Sequence, residues 1–172
     1  MSKKDTVDAC DKAITEIANG KTDAISVIYD LLSRMIFSAA YAITENHHDS
    51  EDVLQNTMIA VMKYADTYRS GTNAIAWIMS MARHIAIDTV RKRKNELPLD
   101  SAEQIASTQD ASLKEVFELL NLLEDDEKQI VVFRLHSNLP YGDISEILGI
   151  SVSAAQKKYQ RAIKKLQKHY KT

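Results

Sequence analysis

Apolar side chains recur along the chain at intervals of three and four residues, and nowhere in the strict alternation of a half-buried strand, so the pattern predicts helices from end to end. A first helix is expected from about Asp5 to Asn19, closed at Gly20. A second starts at Thr22-Asp23 and turns Ile25, Ile28, Tyr29, Leu32, Ile36, Ala39, Ala40 and Ile43 inward, with Met35 and Phe37 beside the stripe. A third, from Ser50 to about Tyr68 with Asp49 or Ser50 as its N-cap, buries Leu54, Thr57, Met58, Val61 and Ala65. The polar loop Tyr68 to Asn73 leads into a long helix, Ala74 to Lys94. Its inner stripe is Ile75, Ile78, Met79, Ala82, Ile85, Ala86 and Thr89; Trp77, Met81, His84, Asp88 and Arg91 fall on the opposite side.

Periodicity then fades. Residues 95–111, with Pro98, read as a linker between a first unit, 1–94, and a second, 112–172. The second unit opens on a capping box of Ser112 and Glu115, with Leu113, Val116, Phe117, Leu120 and Leu123 as its buried side. A further helix is expected near Asp126 to His136, then a short one from Pro140-Tyr141 through Leu148. Gly149 makes a turn, and Ser151 caps a final helix whose inner stripe is Val152, Ala155, Tyr159, Ala162, Ile163, Leu166 and Tyr170. Helix, glycine turn, helix is the helix-turn-helix pattern. The expected architecture is all-α, two small helical domains joined by a linker.

Composition supports this: only four Gly and two Pro punctuate 172 residues. The amino terminus has no apolar signal core, and uninterrupted apolar runs fall far short of the ~20 residues of a membrane span, so a cytoplasmic protein without membrane insertion is expected. A single cysteine, Cys10, allows neither an internal disulfide nor a cysteine-based metal site.

The net charge of −2 conceals a segregated pattern. Five Lys or Arg face one acid between Arg83 and Lys94, and seven with no acid lie between Ser153 and Thr172. From Glu96 to Glu127 there are ten acids and one lysine. Two basic segments flanking an acidic connector suit two contacts with a polyanion, with the connector held away by repulsion. In the long helix, an outward Trp77 could stack on an unpaired base while Arg91-Lys92-Arg93-Lys94 meets phosphates. The same residues also fit a ring that caps the core and a basic helix end favoured by the macrodipole. On the third helix, Asp52, Gln55, Asn56, Ile59 and Lys63 share an outer face. An isoleucine within a polar rim is either a partner contact or a chance exposed residue. His47-His48-Asp49 raises a metal-dependent phosphohydrolase, but helix-end electrostatics explain those residues without further ligands.

Three segments taken together are similar to the extracytoplasmic-function sigma factors of bacterial RNA polymerase. Ser50-Glu51-Asp52-Val53-Leu54-Gln55-Asn56 resembles their polymerase-binding signature. Trp77-Ile78-Met79-Ser80-Met81-Ala82-Arg83-His84-Ile85-Ala86-Ile87-Asp88, with the basic run after it, resembles their promoter-melting helix. Tyr141-Gly142-Asp143-Ile144-Ser145-Glu146-Ile147-Leu148-Gly149-Ile150-Ser151-Val152 resembles the helix-turn-helix that reads the minus-thirty-five element.

The resemblance implies a non-enzymatic initiation subunit with no cofactor. Asp52, Gln55, Asn56 and Ile59 would bind core RNA polymerase. Tyr68, Arg69, Asn73, Trp77, Arg83, His84, Asp88, Arg91, Lys92 and Arg93 would contact the minus-ten element and its melted non-template strand. Ser151, Ser153, Ala154, Gln156, Lys157, Lys158 and Arg161 would lie on double-stranded minus-thirty-five DNA. An anti-sigma factor is implied as a further partner. The chain departs from the family pattern at His84, where Asn is usual, at Asn56 for Glu, and at Ala154-Ala155-Gln156 for Thr-Val-Lys. The alternative is a helix-turn-helix regulator that never engages polymerase.

Overall fold

The computed structural model of the chain describes residues 2–96, 116 and 118–170. Every regular element among these residues is helical. Helix α1 (Lys3–Ala18) starts in a reciprocal box: the Ser2 hydroxyl accepts from the Asp5 amide at 3.2 Å, and the Asp5 carboxylate accepts from the Ser2 amide at 2.8 Å. It ends where Gly20 adopts φ +91°, a conformation that carries a steric cost for any residue with a Cβ.

After one 3-10 turn (Thr22–Ala24), α2 (Ile25–Thr44) forms the centre of the first bundle, with Ile28, Leu32 and Ile36 wholly excluded from water. Burying each such side chain contributes about 1.5–3 kcal/mol. Tyr29, expected inside, is instead 49% exposed, while its neighbour Ile28 is wholly buried. By length and composition the segment Thr22–Thr44 is apolar enough to cross a membrane; here that hydrophobicity is spent on the bundle core.

Helix α3 (His47–Tyr64) begins three residues before the expected start. Asn46, not Asp49 or Ser50, is its N-cap: its Oδ1 accepts from the Asp49 amide at 2.9 Å, while Ser50 is buried and bonded to Thr44 at 2.8 Å. A 3-10 turn (Ala65–Thr67) follows, and α4 (Ala74–Glu96) lies along α2 and α3. Of its expected stripe, Ile75, Ile78, Met79, Ala82 and Ala86 are buried, whereas Ile85 and Thr89 are half-buried.

In the second half, α5 (Asp125–Val131) continues as a π-helical turn (Val132–His136), α6 spans Tyr141–Leu148 and α7 spans Val152–Tyr170. Gly149 joins α6 to α7 at φ +65°, and Ser151 caps α7 by accepting from the Ala154 amide at 3.1 Å. Leu120 and Leu123 are buried as expected, but Val116 is exposed, as is Val152, the first residue of α7. Ser112, Leu113, Glu115, Phe117, the Tyr170 side chain and most of the linker, 97–111, lie outside the described residues.

The two halves, expected as separate domains, share one buried cluster. Ile130, Phe133, Leu139, Ile144 and Ile147 join the residues of α1, α2 and α4 in it. Polar contacts frame the junction: Arg83 Nε donates to Gln129 at 2.8 Å, Ser38 and His136 share a hydrogen bond of 2.8 Å, and Lys3 pairs with Asp143 at 2.8 Å. Lys128, only 4% exposed, reaches Glu45 across the junction and Asn121 within its own half.

Candidate nucleic-acid interface

On α3, Asp52, Gln55, Asn56, Ile59 and Lys63 are all exposed on one face. Ile59 is 56% exposed, and Met62, one turn on, extends the apolar spot. His47 and His48 sit 3.7 Å from Glu51 and Asp52 respectively, as i,i+4 pairs along one helix, and no group of three potential ligands converges among the described residues.

The loop between α3 and α4 is built on a tight turn. The Arg69 carbonyl accepts from the Thr72 hydroxyl at 2.7 Å and the Thr72 amide at 3.3 Å, with Gly71 at φ +82° as the turn's third residue. Asn73 then caps α4, its Oδ1 accepting from the Ala76 amide at 3.1 Å. Arg69 is exposed beside this turn.

Trp77 is not the outward ring that the helical wheel suggests. It is half-buried, packs against the core and sits 5.0 Å from the Tyr68 ring, because the loop folds back over the start of α4. The two rings form one aromatic wall beside the turn.

Asp11 of α1, which none of the sequence motifs includes, anchors this loop. Its carboxylate accepts from the Tyr68 hydroxyl (2.8 Å), the Ser70 hydroxyl (2.7 Å) and the Gly71 amide (2.8 Å). Burial pushes the Asp11 carboxyl up, but these donors hold it below the usual carboxylate range. Burial, reinforced by the Asp11 carboxylate, raises the Tyr68 hydroxyl to about 12, so it remains a donor.

Further along α4, the exposed His84 donates Nδ1–H to the Ser80 carbonyl at 2.6 Å; a carbonyl only accepts, so the proton must be on Nδ1. In the neutral ring, the remaining Nε2 is an acceptor. Asp88 and Arg91 are exposed and pair with each other at 3.3 Å, and Lys92 and Lys94 are exposed. Two expected DNA contacts are committed elsewhere. Arg83 is held by Gln129 of α5. Arg93 bonds Asp49 and the Thr44 carbonyl, tying the end of α4 to the α2–α3 corner.

On α7, Ser151, Ser153, Gln156, Lys157 and Arg161 are exposed, and Ala154 is half-buried. Lys158 departs from the expected set: it pairs with Asp126 at 3.0 Å, just as Lys165 pairs with Glu127 at 2.7 Å. Burial raises the Glu127 carboxyl, yet Lys165 and the Glu124 amide hold it below the usual range. The last acids of the acidic segment thus pair with Lys158 and Lys165 of α7. Lys157, Arg161, Lys164 and Lys168 are further exposed basic positions on the helix.

Family comparisons agree with this layout. The sigma-70 region 2 model matches residues 28–96, and the sigma-70 region 4 model matches residues 113–166. The ECF RNA polymerase sigma factor SigW of Bacillus subtilis is 25% identical over 91% of this chain and 94% of its own length. The RNA polymerase sigma factor CarQ of Myxococcus xanthus is 28% identical over 81% of this chain and 80% of its own length. Among solved structures, CnrH in complex with the cytosolic domain of CnrY superposes with a TM-score of 0.78 at 19% identity, covering 95% of this chain and 97% of that one. The sigma factor RpoE, in complex with the anti-sigma factor NepR from Bartonella quintana, gives 0.69 at 23% identity, covering 84% of this chain and 94% of that one. With two sigma-70 regions in order over most of its length and relatives of the same kind aligned nearly end to end, the chain belongs to the extracytoplasmic-function sigma factors.

Proposed function

We propose that the chain directs core RNA polymerase to specific promoters and assists melting of the minus-ten element through the surfaces described above. In this reading, residues 1–94 form the unit that binds polymerase and the minus-ten element, and 112–172 the unit that binds the minus-thirty-five element, joined by 95–111. The observation that carries the reading is the placement of two different surfaces on one helical bundle. The polar face with Ile59 at its centre is exposed along α3, and the aromatic wall of Tyr68 and Trp77 lies at the far end of the same helix. A polymerase held on the first brings the second to a fixed position on the promoter.

Asp52, Gln55, Asn56 and Ile59 would contact core polymerase. Arg69, Asn73, Tyr68, Trp77 and His84 would receive an extruded base, with stacking worth about 1–3 kcal/mol offsetting the few kcal/mol of unpairing. Binding energy thus offsets much of the cost of opening, and no catalytic group or cofactor is invoked. Arg91 and Lys92 would track phosphates. Arg83 joins them only when the Gln129 contact opens. Ser151, Ser153, Ala154, Gln156, Lys157 and Arg161 would meet the duplex, with the α7 N-terminus in the major groove. Lys158 reaches DNA only by leaving Asp126. An anti-sigma partner, of the kind named for the Bartonella quintana neighbour, belongs to the same reading, as does a cytoplasmic location.

Co-elution with core RNA polymerase on a sizing column tests it, beside a variant carrying Asp52→Ala, Gln55→Ala and Ile59→Ala. Binding by the parent chain and loss in the variant is the expected result. A folded parent chain that does not bind would overturn the reading in favour of a plain helix-turn-helix regulator.

A further inference from the structure

Helix α1 buries Cys10, Ala13, Ile14 and Ile17, which suffices to hold it on the bundle. Asp11 contributes nothing to that stripe. It lies half-buried on the flank, and each of its three hydrogen bonds goes to the loop 57 to 60 residues away. Oδ1 takes both the Tyr68 hydroxyl and the Gly71 amide, and Oδ2 takes the Ser70 hydroxyl. One carboxylate therefore fixes the first residue of the loop, both central residues of its turn, and, through Tyr68, the ring that faces Trp77. The amide of Gly71 and the hydroxyl of Tyr68 are used inward, while Arg69 is left exposed for a ligand.

We propose that Asp11 is a positioning residue for minus-ten recognition, holding the Tyr68–Asn73 loop in its strand-receiving shape before DNA arrives. The inference rests on the reading of this loop as the single-strand pocket. A loop already ordered binds without the entropic cost of ordering on the ligand, and one that holds the competent shape a tenth of the time binds about tenfold more weakly. A carboxylate this close to DNA would by charge alone weaken binding, so its removal ought to help unless its geometry matters.

Two variants separate charge from geometry. Asp11→Asn and Asp11→Ala remove the same charge. An asparagine oxygen in place of Oδ1 keeps the bonds from Tyr68 and Gly71, and its amide donates to the Ser70 hydroxyl, which is also an acceptor. Alanine keeps none.

Holoenzymes assembled with core RNA polymerase would be bound to a pool of non-template-strand DNA oligonucleotides randomised over six positions, reading both affinity and the base preference of the recovered strands. Asp11→Ala is expected to lose about tenfold in affinity and flatten the preference at the pocket position. Asp11→Asn should stay within about twofold of the parent. Wild-type affinity and preference in Asp11→Ala would overturn the inference, and so would an Asp11→Asn variant as impaired as Asp11→Ala. Should Asp11→Ala fail to fold, Tyr68→Phe removes one of the three bonds while keeping the ring on Trp77, and its preference should broaden in the same way; an unchanged spectrum there would overturn the inference equally. Arg69→Ala and Trp77→Ala serve as the separate check on the pocket. If both leave strand binding intact, the pocket reading itself fails; if they impair it and the Asp11 variants do not, only the anchoring role fails.

Discussion

Replacing Ile59 by alanine tests the polymerase face with little collateral effect on the fold. Its side chain is 56% exposed and surrounded on α3 by exposed Gln55, Asn56 and Lys63. Complete burial of a side chain of this size contributes about 1.5–3 kcal/mol, so the surface still uncovered offers roughly 0.8–1.7 kcal/mol to a partner. Alanine retains the Cβ share, which leaves a loss of about 1 kcal/mol, or about fivefold in Kd. Ile59→Glu should cost more, about 100-fold or beyond, because an unpaired carboxylate would be desolvated at the centre of the contact. The change in folding free energy for Ile59→Ala should stay within about 0.5 kcal/mol, as for other surface positions. Titration of labelled core polymerase with each variant, alongside urea unfolding, supplies both numbers. Val27→Ala is the matched control: Val27 is 40% exposed on α2, outside the proposed face, and should bind like the parent. Equal affinity of Ile59→Ala and the parent, or equal loss in Val27→Ala, would refute the assignment of this face.

On α7, Lys157→Ala with Arg161→Ala should weaken duplex promoter binding and reduce the salt dependence of log K by up to about 1.8, from about 0.9 per lost phosphate contact, with polymerase binding unchanged. Arg93→Ala should destabilise the first bundle by about 1–3 kcal/mol in urea unfolding, since it strips bonds from Asp49 and the Thr44 carbonyl. Lys92→Ala next to it should leave stability unchanged and reduce DNA affinity only. Glu127 has a depressed folded pKa, so its contribution to stability is present above the ordinary carboxylate value and is lost as pH falls through the lower, folded one. Melting curves across the acid range should show that limb, and Glu127→Gln should flatten it.

Asp52, Gln55, Asn56 and Ile59 share one face because they sit on one helix, where the angle between positions follows from the backbone alone; that the face is exposed follows from packing. Gly149 and Ser151 mark the α6–α7 turn for the same local reason: a positive φ and a side-chain cap each need only neighbouring residues. Trp77 shows where this logic stops. The helical wheel puts it opposite Ile75 and Met79, but its exposure depends on whether Tyr68 folds over it, which the wheel does not contain. The N-cap at Asn46 was missed because Asp49 and Ser50 are equally suitable caps by type, and the Thr44–Ser50 contact that buries Ser50 comes from the packing of α2 on α3.

Features governed by separations of a few residues were legible in the chain: an all-helical architecture, the course of its principal helices, the face of α3, the helix-turn-helix and the segregation of charge. Through its three motifs it also carried the family. Which charged and polar groups are already paired is fixed by the packing of the helices. Arg83 belongs to Gln129, Arg93 to Asp49, Lys158 to Asp126, and Asp11 to a loop some 60 positions later. The physical reason is that an ion pair or hydrogen bond requires atoms within about 3 Å, and for residues far apart in the chain that proximity is set by how whole helices pack, not by the residues' own types or spacing.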